Sequence, residues 1–314
     1  MRMALSRGLF LALAGAAQAG TQPPVVLAEP PPLYATPTRL DRIGRVIAPV
    51  IINGHGPFRL VVDTGASHST LSPEVSAQLG LTPSLEAGVM LNGVTGAAQV
   101  PTVHVDEIKA GDMVVNDVLM PVLFSSIMSN ADGILGIAGL RDERVLMDFR
   151  KDRIVISRSW KPIDVRGFIR IPAMRVAGGL FCLSARIGGV ATQMVIDTGA
   201  EQTLGNLALR DALRKRRRVH EPASRSTEVY GATADVAAGE SEAVPPIQLG
   251  AANITSTRIV YGDFHIFKVW GLQGRPAALI GMDVLGTANA IVIDYVRRDF
   301  YVDVGPNTAP RPLR

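Results

Sequence analysis

The stretch Leu60-Val61-Val62-Asp63-Thr64-Gly65-Ala66-Ser67 returns, 134 positions later, as Met194-Val195-Ile196-Asp197-Thr198-Gly199-Ala200-Glu201. Each copy is an apolar run of strand-forming residues that ends on Asp-Thr-Gly-Ala. A buried strand of this kind delivers a carboxylate to its end. A hydroxyl follows, and glycine then lets the backbone turn where a side chain would clash. One tetrapeptide occurs by chance, whereas two copies suggest two halves that each contribute one carboxylate to a shared site. The plainer alternative, two strand-ending aspartates that cap turns, loses ground as the rest of the repeat is counted.

Outward from Asp63, residues 46–52 read as a strand, with Pro49 suited to a sheet edge. Asn53-Gly54-His55-Gly56-Pro57 reads as a turn into the next strand, 58–62. Residues 72–79 suit a short helix with Ser72 as N-cap and Pro73 at its first position. The run Met90 to Gly96 holds Asn-Gly between apolar residues, a hairpin signal. Strands are expected around Val103, Met113 and Met120, then at Asp132-Gly133-Ile134-Leu135-Gly136, with 145–156 closing the half.

The second half repeats this order. Residues 183–187, Gly188-Gly189 and 194–196 match the first hairpin, and Val229-Tyr230-Gly231-Ala232-Thr233 lines up with Leu91-Asn92-Gly93-Val94-Thr95. From Asp63, the landmarks Gly93, Gly111, Gly136 and Asp148 fall at +30, +48, +73 and +85. From Asp197, their partners Gly231, Gly250, Gly281 and Asp294 fall at +34, +53, +84 and +97, so the second half is longer, with part of the excess assigned to its basic run. Such a ladder indicates duplication.

The repeated Asp-Thr-Gly-Ala motif resembles the active-site motif of retropepsin-like aspartic proteases, and the doubled copy resembles a bacterial single-chain form with two fused lobes. The resemblance implies an all-β fold: two retropepsin-like β-barrel lobes in tandem, related by a pseudo-twofold axis, with a cleft between them. It implies an aspartic endopeptidase in which Asp63 and Asp197 form a catalytic dyad. Two facing carboxylates cannot both ionise easily, so they share a proton, as aspartic proteases themselves illustrate. One member then takes a proton from water while the other donates to the scissile carbonyl. No metal and no cofactor are implied.

The same resemblance assigns supporting roles. Thr64 and Thr198 are expected to bond across the lobes, and Gly65 and Gly199 to keep backbone near substrate. Asn92-Gly93 and Tyr230-Gly231 are flap candidates, the Tyr230 flap ranked first. Ser67 and Glu201 differ between the lobes, Glu201 holding a position where retroviral enzymes bind substrate backbone with an acidic residue. Ala66 and Ala200 leave out a hydroxyl that would stabilise the ionised dyad, so an optimum nearer weakly acid than strongly acid pH is expected. The first lobe reads Gly136-Ile137-Ala138 against Gly281-Met282-Asp283 in the second, which leaves the support behind its active-site loop less regular.

Composition agrees with a globular chain. Of 314 residues, 47% are apolar and only 5% aromatic, so Val, Ile and Leu must do the packing. A net charge of +4 is mild, and the run Arg214-Lys215-Arg216-Arg217-Arg218 lacks the interleaved aromatics of a nucleic-acid site, so no nucleic-acid partner is expected. A solvated helix end or loop suits it better. Cys182, the single cysteine, reads as a core residue. His55, His68, His104, His220 and His265 show no metal-ligand spacing.

The organisation expected is a signal peptide at 1–19, a Pro-rich arm at 20–44, lobes at 45–158 and 171–304 joined by a connector at 159–170, and a tail at 305–314. Arg2 and Arg7, a short apolar core at 8–16 and Ala17-Gln18-Ala19 have the signal pattern. Cleavage would leave no stable membrane span and a periplasmic monomer, its pseudo-dimer internal, acting on peptide or protein substrates. Three rivals are weighed: a non-catalytic peptide-binding protein on the same fold, a two-carboxylate glycosidase, disfavoured by the low aromatic content, and lobes paired between chains.

Overall fold

The structure, a computed structural model, describes residues 44–123, 131–216, 223–233 and 235–305. The expected signal peptide and nearly all of the Pro-rich arm lie outside the described residues, as do His220, Arg217 and Arg218 of the basic run, and the tail after Gly305.

Alternating apolar residues set the first hairpin. Strand β1 (Ile47–Ile52) buries Ala48, Val50 and Ile52, and β2 (His55–Val62) buries Phe58, Leu60 and Val62 against them. Their register pairs Ile47 with Val61 and Pro49 with Arg59, while β1 meets its other neighbour only at Ile51 and Ile52. Pro49 therefore sits where no second ladder needs its missing N–H. The second strand starts at His55, inside the segment read as a turn, because the chain reverses at Asn53 and Gly54, both at positive φ.

The first half continues with β3 (Thr70–Leu71), α1 (Pro73–Gln78), β4 (Ser84–Asn92), β5 (Ala97–Ala110), β6 (Met113–Pro121), β7 (Gly133–Leu135), β8 (Glu143–Asp148) and β9 (Arg153–Arg158). Helix α1 starts as its sequence dictates: the Ser72 hydroxyl accepts from the Val75 N–H at 3.3 Å, with Pro73 following. Met113 and Met120 belong to one long strand rather than two. The second half runs β10 (Ile169–Arg175), β11 (Phe181–Ile187), β12 (Val190–Ile196), β13 (Leu204–Gly205), α2 (Leu207–Arg216), β14 (Arg225–Tyr230), β15 (Val236–Ala243), β16 (Ile247–Leu249), β17 (Ala252–Ile254), β18 (Arg258–Tyr261), α3 (His265–Val269), β19 (Ala277–Ile280), α4 (Met282–Leu285), β20 (Ala290–Asp294) and β21 (Asp299–Asp303).

The expected all-β, two-lobed architecture is present, and the halves repeat in topology. In each, the aspartate-bearing strand pairs in parallel with a later strand: β2 with β7, and β12 with β19. A short strand closes the far side, β3 on β7 and β13 on β19. The extra length of the second half lies partly in the longer helix α2 and partly in α3. Arg214, in the last turn of α2, is held by Glu240 and Glu242 of β15, so this part of the basic run is an ion-paired helix end.

The halves are stitched by backbone. Strands β8 and β9 leave the first sheet and extend the second, in the order β10-β21-β20-β8-β9. Strands β8 and β20 are antiparallel and centred on the pair Leu146 and Val292. These two residues are repeat equivalents, so the pseudo-twofold axis passes between them. One continuous apolar core spans both halves and includes Cys182, whose thiol burial pushes up to about 11.

Candidate active site

Asp63 and Asp197 leave their strands in matching ways. The Asp63 N–H donates to the Leu135 carbonyl at 3.1 Å, and the Asp197 N–H to the Ile280 carbonyl, also at 3.1 Å. Each strand end is thereby pinned to the parallel partner behind it. Each carboxylate then accepts from its own loop: Asp63 Oδ1 from the N–H groups of Gly65 (2.8 Å) and Ala66 (3.0 Å), Asp197 Oδ1 from those of Gly199 (2.9 Å) and Ala200 (3.0 Å). A methyl group on Gly65 would overlap the Asp197 carboxyl, and one on Gly199 the Asp63 carboxyl. Only glycine leaves room for each acid to lie against the opposite loop, and there the two carboxyls hydrogen-bond to each other.

The threonines lock this arrangement from below. Thr64 Oγ1 donates to the Ile196 carbonyl at 2.9 Å and accepts from the Thr198 N–H at 3.1 Å. Thr198 Oγ1 donates to the Val62 carbonyl at 2.6 Å and accepts from the Thr64 N–H at 3.2 Å. All four bonds are buried and cross between the halves, so they fix the loops relative to each other at low entropic freedom.

Behind the loops, a methyl group on Gly136 would stand 2.5 Å from the His68 backbone, and one on Gly281 2.7 Å from that of Gln202. The glycine N–H groups donate to Ser69 Oγ and Thr203 Oγ1, both at 3.1 Å. Only the second half adds a carboxylate here: Asp283 accepts from Thr203 Oγ1 at 2.7 Å and from its N–H at 3.0 Å. The first half has a turn of 3-10 helix, residues 137–140, in that place. Its loop is held by one fewer bonded side chain, the irregularity anticipated from Ile137-Ala138.

Burial pushes Asp197 well above the usual carboxylate range, and the negative charge of Asp63 pushes it further. Burial also raises Asp63, opposed by the Gly65 N–H, the hydrogen bond from Asp197 and the charge of Arg45. A pair in this setting holds one proton between two oxygens and keeps it to higher pH than a free acid would.

Both carboxyls face a cleft of about 620 Å³. Asn92, Gly93, Tyr230, Gly231, Ser67 and Glu201 all line it, so every residue singled out from the sequence for substrate contact borders the same space. The β4–β5 and β14–β15 hairpins meet at their tips, where Thr95 Oγ1 and Thr233 Oγ1 lie 3.3 Å apart. Tyr230, on the first-ranked flap, is 61% exposed, and its hydroxyl donates to Glu228 at 2.7 Å.

Several cleft residues were not read from sequence. Helix α3 supplies Ile266 and Val269, with Trp270 just after it, and His265 Nε2 lies 3.1 Å from the Asn92 side-chain oxygen of the first flap. Its five residues have no side-chain cap to announce them. Arg45 and Leu180 line the cleft floor from just ahead of β1 and β11. The register that pairs Ile47 with Val61 puts residue 45 across from residue 63, but it shifts by one between Val50 and Ile52, so counting back from the Asn53-Gly54 turn alone would have set Gly44 there.

The sequence profile described as aspartyl protease matches residues 48–138 and again residues 183–284. No curated protein matches the chain at a significant level. Those two matches cover more than half of the sequence and enclose both Asp-Thr-Gly-Ala loops: the chain belongs to the aspartyl protease family.

Proposed function

We propose that the chain is an exported aspartic endopeptidase in which Asp63 and Asp197 form one catalytic dyad. The observation that carries this reading is the pair of aspartates, Asp63 half-buried and Asp197 buried, one from each half, hydrogen-bonded to each other and bordering a single cleft. The ionised member takes a proton from a water molecule while the protonated member gives its proton to the scissile carbonyl oxygen. The new C–O bond yields a gem-diol, and no acyl-enzyme forms. Return of the first proton to the amide nitrogen breaks the C–N bond, and a gem-diol hydroxyl restores the second acid's proton.

Thr64, Thr198, Gly65, Gly199, Ala66 and Ala200 hold the two acids in register. The hairpins carrying Asn92-Gly93 and Tyr230-Gly231 close over an extended peptide, with Ser67 and Glu201 at its flanks. Residues 1–19 act as the export signal, 20–44 as an arm, 159–170 as the connector between lobes at 45–158 and 171–304, and the mature protein works as a periplasmic monomer. Among the described residues, no helix is long and apolar enough to cross a membrane.

The test is incubation of the purified chain with a mixed peptide library between about pH 4 and 7, read by mass spectrometry of products and enzyme. Internal cleavage without any covalent acyl adduct is expected. A folded chain that cleaves nothing in this range contradicts the reading.

A further inference from the structure

The two halves repeat closely around the aspartates, which makes their differences informative. Arg45 and Leu180 occupy equivalent places. The Val62 N–H donates to the Val46 carbonyl at 2.8 Å, so the residue before Val46 lies beside Asp63. In the second half Cys182 pairs with Val195, and the same count sets Leu180 beside Asp197. Both side chains line the cleft, and both are buried, Arg45 at 4% exposure and Leu180 at 1%. One aspartate thus has a guanidinium for a neighbour and the other an isobutyl group.

A second difference points the same way. Tyr295 and Phe149 are repeat equivalents, each following the aspartate that ends β20 or β8. Tyr295 is 1% exposed, stacks on Phe181 with ring centroids 4.9 Å apart, and its hydroxyl has no hydrogen-bond partner among the described residues. That hydroxyl lies within electrostatic range of Asp63 and is kept protonated by burial and by the carboxylate's charge. A buried cation near one acid favours negative charge there, and the Tyr295 hydroxyl puts a polar group within electrostatic reach of the same acid where the repeat partner, Phe149, has none. The other ionisable groups bordering the cleft are Asp197 itself and the exposed His68, Glu201 and Glu228, the last already bonded to Tyr230. None of them offers Asp197 a buried cation.

We infer that Arg45 is a positioning residue that makes the two aspartates inequivalent, holding the negative charge on Asp63 and leaving the shared proton on Asp197. The inference rests on the dyad reading and refines it: Asp63 becomes the member that deprotonates water, and Asp197 the member that protonates the carbonyl in the first step. Substrate then meets a polarised cleft rather than a symmetric one, and the peptide direction that presents its carbonyl oxygen to Asp197 is favoured.

The test reads the acids directly. Protein labelled at the aspartate side-chain carboxyl carbon is titrated by NMR, the two signals being assigned by their loss in Asp63→Asn and Asp197→Asn. In the parent, Asp63 is expected to stay ionised to lower pH than Asp197. In Arg45→Leu, which installs the residue of the other half, the Asp63 midpoint is expected to rise by about one pH unit or more. Arg45→Lys should keep it near the parent value, and Tyr295→Phe should raise it by a smaller amount. The acid limb of the kcat/KM profile for peptide cleavage should move with it. Arg45→Gln replaces the Leu variant if that one fails to fold. An Asp197 that ionises first in the parent, or an Asp63 midpoint unmoved in folded Arg45→Leu or Arg45→Gln, overturns the assignment. A parent-like titration alongside undiminished peptide cleavage by Asp63→Asn would instead sink the dyad reading and leave the charge asymmetry standing.

Discussion

At Asp197 the local energetics run against ionisation. The side chain is 8% exposed, faces a second carboxyl, and is lifted well above the ordinary carboxylate range by burial first and by Asp63 next. A carboxyl whose folded pKa lies above its unfolded one binds its proton more tightly in the folded chain. Its contribution to stability is therefore present in acid and is lost as pH rises through the folded value. Asp197→Asn removes the charge without removing the hydrogen-bonding geometry. We expect this variant to melt above the parent at neutral pH, with the gap closing in acid as the parent's carboxyl regains its proton. Calorimetry across that range checks the sign, and a variant that melts below the parent at neutral pH opposes it.

Each aspartate depends on an element it does not belong to: a strand end pinned by a parallel neighbour, and a glycine behind the loop. Gly281→Ala would press a methyl group to 2.7 Å from the Gln202 backbone and 3.0 Å from the Ala200 carbonyl, where no flexible side chain can yield. The expected cost is about 1–3 kcal/mol of stability, measured by urea denaturation, with a larger fractional loss of kcat because the displaced segment carries Ala200. The elements that build this arrangement were legible in the sequence wherever a local rule operates. Apolar runs ending on Asp-Thr-Gly, the Ser72-Pro73 helix start and the Asn92-Gly93 hairpin each have a short-range physical signal. Helix α3 has none, being five residues long and uncapped by a side chain, and its role against the first flap arises only from tertiary packing. Arg45 was hidden for another reason. Charged residues are mostly exposed, and only strand register brings this one to the cleft.

Across the whole molecule, the halves are joined by a ladder of backbone bonds and by one buried polar knot. Arg144 on β8 stands opposite Asp294 on β20 and donates to the carbonyls of Ser159 (3.1 Å) and Lys161 (2.9 Å). The Ser159 hydroxyl donates to both Asp294 oxygens, at 2.7 and 2.8 Å. This ties the segment after β9 to the sheet shared by both halves. Arg144 and Asp294 are 3% and 1% exposed and the Asp294 charge acts on the Arg144 guanidinium, so deleting the acid leaves a buried cation without that counter-charge and the Ser159 hydroxyl without its acceptor. Asp294→Ala is expected to cost about 3–5 kcal/mol, read from chemical denaturation, whereas an exposed pair such as Arg166 with Asp164 should give a near-neutral result on the same change. Where the sequence showed two equivalent closing segments, the structure pairs them with each other about a twofold axis, a relation that needs both copies in space. That axis is what brings two carboxylates from distant parts of the chain into one cleft. The most direct measurement is therefore peptide cleavage by Asp63→Asn and Asp197→Asn made separately, each verified as folded. A shared dyad predicts that either change alone lowers kcat by about 10³-fold or more. Full activity in one folded variant would mean that the two acids do not act together.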